Sequence, residues 1–171
     1  MIPPEIIRRI KETINLEDEF HQKIYTNELD NFFDWFSQKG EIFPVVCNKD
    51  LNADIREERL VPNCCFSNGQ YLAHKYREQE IEYAEGYVLY EDHIQFREDY
   101  ISHGFNIFNG KVTDYTLAPL IESDRFTPQE EYYGVIIPLE YIMEKRGRDI
   151  ENIGPYCPLI IDFFRDSIRP R

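Results

Sequence analysis

The residues that decide the fold are His103 to Leu117, HGFNIFNGKVTDYTL, with Asn109-Gly110 at their centre. Two strand-like runs, ISHGFNIF and KVTDYTL, flank that pair. Asn-Gly between such runs predicts a two-residue β-hairpin loop, because both central positions of a type I′ turn need positive φ. The loop sets the register: Phe108 opposes Lys111, Ile107 opposes Val112, and Phe105 opposes Asp114. Side chains alternate between faces, so His103, Phe105 and Ile107 share a face with Val112, Asp114 and Thr116. That face is mostly apolar and is expected to look inward. It still carries a histidine and an aspartate, one diagonal step apart and within reach of each other. A buried carboxylate without a partner is costly, so the two are expected to pair. Taken alone, such a pair is most often a satisfied structural histidine.

On either side of the hairpin the pattern continues. IEYAEGYVLY, Ile81 to Tyr90, is rich in aromatic and β-branched residues and predicts a strand. Gly86 inside it marks the close approach of another group, and Glu85 reads either as a buried charge near the site or, slightly preferred, as an ordinary strand-edge acid. EEYYGVIIPLEYIMEKRG adds a strand near Tyr132 to Ile137 and then a helical turn; CPLIIDFFRDSI closes the chain as a helix or a strand. Toward the N-terminus the period becomes helical. Ile2, Ile6, Ile7, Ile10 and Ile14 fall on one face, with Pro3 and Pro4 at the helix start. A second helical stretch spans Glu17 to Tyr25. A third, capped by Thr26 or Asn27, carries Leu29, Phe32, Phe33 and Phe36 and stops at Gly40. Its FFDWF run reads as a buried helix packed on a sheet. EIFPVVC reads as a short strand with an edge proline, residues 48–63 as a loop or one helical turn, and FSNGQYLAHKYREQ as a helix. The organisation is α+β in a single domain over 1–171. Residues 1–60 are mainly helical, 61–140 hold a helix and an antiparallel sheet, and 141–171 close the chain.

Composition bounds the function. A chain of 171 residues buries a core without help from disulfides or metals. With 42% apolar and 15% aromatic residues, disorder along most of its length is not expected. A formal charge of −13 argues against nucleic acid as partner, since phosphate contacts need clustered Lys and Arg. Lys145 to Arg148, KRGR, reads as a solvated turn. The N-terminus lacks the apolar core of a signal peptide, and no run approaches the roughly 18 residues of a membrane span. A reducing cytoplasm is therefore expected, with free thiols. Cys47, Cys64, Cys65 and Cys157 do not form a disulfide framework, and neighbours such as Cys64 and Cys65 lie badly for a bridge. A zinc site from Cys47, Cys64, Cys65 and His74 lacks ligand pairs two to four residues apart, so neither metal nor cofactor is expected. His21, His74 and His93 read as surface or satisfied histidines.

PNCCFSNGQ, Pro62 to Gln70, supplies the group that gives the His–Asp pair a second meaning. Cys65 stands at the predicted start of a helix, where a thiolate is favoured, as it also is beside an imidazolium. Cys65, His103 and Asp114 then form a candidate set of nucleophile, base and orienting group. Backbone N–H groups at the helix start suit an oxyanion. Cysteine on a helix start, histidine on one strand and aspartate on the next resembles the papain-like superfamily, which includes NlpC/P60 peptidases, transglutaminase-like proteins and arylamine acetyltransferases. More narrowly, CFSNG, YAEGYVLY, HGFNIFNGKVTDYTL and YYGVIIP are similar to a set of uncharacterised bacterial and phage proteins. The likeness covers Asn63 to Pro138 and leaves the first 60 residues outside it. Phe66, Ser67, Asn68 and Gly69 follow Cys65 as that pattern requires. Cys65 therefore matches the nucleophile, and Cys64 is a neighbour expected to turn into packing. Gly104 and Phe105 stand where a small residue and tryptophan are usual. Papain's oxyanion glutamine has no clear counterpart, which leaves Asn63 and Asn68 as weaker candidates for oxyanion or substrate contact.

The resemblance implies a papain-like fold, with a nucleophile-bearing helix packed on an antiparallel sheet. It also implies a thiol enzyme that cleaves or transfers an amide or acyl group through a Cys thioester, as a peptidase, amidase, deamidase or acyltransferase. The expected substrate is a peptide, protein or amine-bearing small molecule, with no role for nucleic acid or membrane. The alternative is a catalytically silent papain-like binding module whose acidic surface meets a basic protein partner.

Overall fold

Asn109 and Gly110 adopt φ of 52° and 73°, the paired positive values that a type I′ turn requires. They join β3 (Arg97–Phe108) to β4 (Lys111–Thr113). The register is Phe108 with Lys111, Ile107 with Val112 and Asn106 with Thr113, as the loop length demands. The ladder ends there, so Phe105 and Asp114 do not pair as strand partners. The cause is local: Asp114 Oδ1 accepts the N–H groups of Thr116 (3.1 Å) and Leu117 (3.0 Å), which folds the chain into a turn instead of a longer strand.

This computed structural model describes residues 1–14, 28–45, 55, 57–92, 97–117, 131–151 and 157–169. β1 (Glu41–Pro44), β2 (Glu82–Asp92) and β5 (Glu131–Ile136) complete a five-stranded sheet of order β1-β5-β2-β3-β4, every neighbouring pair antiparallel. A parallel bridge between Val45 and Val112 brings the two outer strands together, so the sheet curls on itself. Phe43, Ala84, Val88, Phe105, Ile107 and Val112 fill the inside of the curl. Gly86 is where β5 presses closest. A Cβ there would lie 1.9 Å from the Tyr133 carbonyl oxygen, which explains a glycine in a central strand.

The other face carries Tyr83, Tyr87, Tyr100, Tyr133 and Val135, and the helices cover it. In α1 (Pro4–Thr13) Ile7 and Ile10 are buried, with Ile2 just before the helix, as the isoleucine spacing predicts. In α2 (Leu29–Lys39) the FFDWF run is core: Phe32, Phe33 and Phe36 are fully buried. Phe33 and Phe36 set their rings 6.0 and 5.4 Å from that of Tyr87. Burying each phenylalanine contributes about 1.5–3 kcal/mol. α3 (Cys65–Lys75) lies against β3 and β2, α4 (Leu139–Arg146) follows β5, and α5 (Ile160–Ile168) resolves the closing segment as a helix. The KRGR stretch becomes the end of α4 and a 3₁₀ turn, and Arg146 is not simply solvated, since it donates to Gln70 Oε1 at 3.1 Å. The expected helix at Glu17–Tyr25, Cys47, His21 and His93 lie outside the described residues. Among the described residues no helix is long and apolar enough to cross a membrane.

Candidate active site

Cys65 is the first residue of α3, with Cys64 as its N-cap. A tight turn delivers it there: the Cys64 N–H donates to the Val61 carbonyl at 3.3 Å, and Asn63 takes φ of 61°, a left-handed value that asparagine tolerates. Asn68 locks the turn onto the helix. Its Oδ1 accepts from the Val61 N–H (3.1 Å), while its Nδ2 donates to the Val61 carbonyl (2.9 Å) and Thr116 Oγ1 (3.2 Å). Both amide hydrogens are spent, so Asn68 is a fully buried clamp with no donor left for an oxyanion or a substrate. Asn63 is exposed at the rim of the neighbouring cleft. Cys64 and Cys65 are both free and half-buried.

Gly104 allows the helix to sit this close to β3. A Cβ at that position would lie 2.8 Å from Phe66 Cα and 2.9 Å from the Tyr83 hydroxyl. The next residue back, His103, points to the opposite face and into the mouth of the curled sheet. Its ring lies 6.3 Å from Phe105, nearly parallel at 13°, and 6.1 Å from Tyr132. Because the β4 ladder stops at Asn106–Thr113, Asp114 is free to turn back toward the histidine. His103 Nε2 and Asp114 Oδ2 are 2.6 Å apart, and both side chains are 3% exposed. Cys65 and this imidazole line the same cleft, and the sulfur lies near enough to raise the His103 pKa. With Nε2 taken by Asp114, Nδ1 is the nitrogen left for sulfur.

Asp114 is saturated. Beside His103 and the two backbone N–H groups, Oδ2 accepts the Tyr132 hydroxyl at 2.9 Å. Burial alone raises the Asp114 pKa, but the His103 charge and these hydrogen bonds bring it below the usual carboxylate value. For His103 the balance runs the other way in sign. Burial pulls its pKa down, and the charge of Asp114 and the sulfur of Cys65 outweigh burial and hold it well above the ordinary histidine range. The pair is therefore imidazolium and carboxylate. Burial and the Asp114 charge push the Tyr132 hydroxyl well up, so it stays a donor. Tyr132 escaped the reading of the sequence. It reaches Asp114 only because β5 lies beside β2, a long-range pairing that its YYGV context does not announce.

On the helix-covered face lies a second polar cluster. Glu85 is not a strand-edge acid: β2 lies inside the sheet, and the Glu85 side chain is fully buried. Its oxygens accept from the Tyr83 hydroxyl (2.7 Å) and from the N–H groups of Leu159 (2.7 Å) and Ile160 (2.9 Å), so it ties down the start of α5. Burial pushes its pKa up to about 7 against the pull of those donors. Gln70 extends the cluster by donating to the Tyr83 hydroxyl (3.3 Å) and the Cys157 carbonyl (2.9 Å). Cys157 itself meets Ser67 Oγ at 2.9 Å and the Arg146 guanidinium.

A cleft of about 400 Å³ opens beside Cys65 and His103. Leu60, Val61, Pro62, Ile101, Tyr115 and Leu117 form most of its wall. Two residues before Leu60, Glu58 accepts from Lys75, Tyr71 and Tyr76 of α3 and its end. Among the described residues no three His, Cys, Asp or Glu side chains converge as a metal ion needs, and His74 stands apart on α3. Compared with protein-family models, characterised proteins and solved structures, the chain matches none.

Proposed function

We propose that the protein is a papain-like thiol enzyme acting on an amide or acyl bond, with Cys65 as nucleophile, His103 as proton carrier and Asp114 as the group that orients the imidazole. One observation carries the reading: a thiol at a helix start shares a cleft lining with a histidine that a buried aspartate holds at 2.6 Å. In this reading the proton of the Cys65–His103 couple rests on the imidazole. The sulfur attacks the carbonyl carbon, and the carbonyl electron pair moves onto oxygen. Collapse of that intermediate re-forms the carbonyl and breaks the bond to the leaving amine, which takes the proton from His103 Nδ1. The product is a Cys65 thioester. Water or a second amine then attacks the thioester, His103 accepts its proton, and the Cys65 sulfur leaves. Water gives hydrolysis or deamidation, and an amine gives transfer. The Cys65 backbone N–H at the start of α3 and the Asn63 side chain at the rim are the donors this reading assigns to the oxyanion.

Iodoacetamide labelling followed by peptide mass spectrometry tests the assignment. Cys65 is expected to label much faster than Cys47, Cys64 or Cys157, and His103→Ala is expected to slow it. Equal, sluggish labelling at all four cysteines would overturn the enzyme reading and leave a papain-like binding module.

A further inference from the structure

The net charge of −13 invites the idea of a cationic substrate, yet no carboxylate is among the described residues that line the cleft beside Cys65. Charged residues make up 30% of the chain, and none of its Asp, Glu, Lys or Arg side chains is among the described residues lining this cleft. The contrast within the molecule is direct. A second cleft of about 350 Å³, between the end of α3 and the start of α4, carries Arg77, Glu80, Glu82 and Glu140. Near Cys65 the wall is instead aliphatic and aromatic: Leu60, Ile101, Tyr115 and Leu117. Ile101 stands two residues before His103 on β3, so their side chains share a face and Ile101 lines the approach to the sulfur. The donors of Asn68, which also borders the cleft, are spent on Val61 and Thr116.

We propose that this cleft receives an uncharged aliphatic group on the acyl side of the scissile bond, attached directly beside the carbonyl that Cys65 attacks. The assignment rests on the thiol-enzyme reading above and names its substrate class: acyl groups with a small apolar side chain. A cation moved into such a wall loses its hydration without gaining a carboxylate. Any amine on the substrate therefore lies outside the cleft, toward the acidic surface. A volume of about 400 Å³ falls at the lower end of ligand pockets, and it suits a single side chain with its neighbouring backbone.

Chloromethyl ketones of N-acetyl-alanine, N-acetyl-norleucine and N-acetyl-lysine separate these contributions. In each, the Cys65 sulfur forms a C–S bond as the C–Cl bond breaks and chloride departs. Norleucine and lysine differ essentially in the terminal ammonium. With rates normalised to a free thiol in solution, the norleucine reagent is expected to label Cys65 at least tenfold faster than the lysine reagent. It is also expected to beat the alanine reagent by up to about fourfold per added methylene. Ile101→Glu is expected to shift the lysine-to-norleucine ratio at least fivefold toward lysine. Val61→Glu, at a more exposed point of the same wall, is expected to shift it the same way. Selective iodoacetamide labelling of Cys65 together with a lysine reagent as fast as the norleucine one would overturn the pocket assignment and leave the enzyme reading standing. Loss of selectivity for Cys65 with iodoacetamide itself would overturn both.

Discussion

Replacing Asp114 with asparagine separates the charge of this carboxylate from its shape. The amide oxygen can still accept the N–H groups of Thr116 and Leu117, so the turn after β4 has what it needs. The amide nitrogen then faces His103 Nε2, which must become an acceptor. That places the single imidazole proton on Nδ1, the nitrogen facing Cys65, and removes the base. It also removes the negative charge that holds the imidazolium. Cys65 then has no base beside it to take its proton. Thiols without such a base react slowly well below pH 8, because the thiolate is the nucleophile. Iodoacetamide labelling of Cys65 is expected to slow by about tenfold or more at pH 6 and far less at pH 9, where thiols in general ionise. A slowdown of equal size at both pH values would refute the reasoning, since it would mean distorted geometry and not lost charge.

The same substitution carries a stability signature whose sign follows from the two shifts. His103 has a folded pKa raised to about 10, so its contribution is complete below about 6.5 and disappears as pH rises through about 10. Asp114 is depressed in the folded state, so its contribution is present above about 3.9 and disappears as pH falls through the lower folded value. The pair therefore stabilises most near pH 4–6.5. Removing one partner of a buried ion pair costs about 3–5 kcal/mol, and a retained backbone acceptor favours the low end. Urea unfolding followed by the single tryptophan, the core residue Trp35, is expected to show about 3 kcal/mol between wild type and Asp114→Asn at pH 6. The difference is expected to shrink toward pH 10. A constant difference from pH 5 to pH 10 would refute the ion pair.

Three further outcomes test neighbouring parts of the structure. Cys64→Ser is expected to retain the labelling rate and turnover of Cys65, whereas Cys65→Ser abolishes turnover; a loss of equal size in the two variants would deny them separate roles. Gly104→Ala forces a methyl group against Phe66 Cα and the Tyr83 hydroxyl, and is expected to cost about 1–3 kcal/mol and to slow Cys65 labelling, both measured on one protein preparation. Glu85 has a folded pKa near 7, above its ordinary 4.5, so wild type is expected to lose stability as pH rises from about 4.5 to 7. Glu85→Gln does not titrate, so its unfolding free energy is expected to vary less across that range; parallel curves for the two proteins would exclude titration of this side chain.

What could be read from the chain is what short separations enforce. Asn109-Gly110 permits few other conformations, so the hairpin register followed from the turn. The meeting of His103 with Asp114 followed from the register, although Asp114 reaches the histidine from a turn and not from a strand. Cys65 at a helix start was legible for the same reason. What failed depended on the order of strands. Glu85 looked like an edge acid because nothing local reveals that β2 has β5 on one side and β3 on the other. Tyr132 carried no signal because its meeting with Asp114 needs that same order. Asn68 looked available to a substrate because its three partners belong to the Val61 turn and to Thr116, 48 residues away. Net charge is a coarser guide to a site. A formal −13 describes the surface as a whole, and desolvation acts on the few side chains that touch a ligand. The preference proposed for the Cys65 cleft therefore rests on its leucine, isoleucine and tyrosine lining and not on the charge of the whole chain.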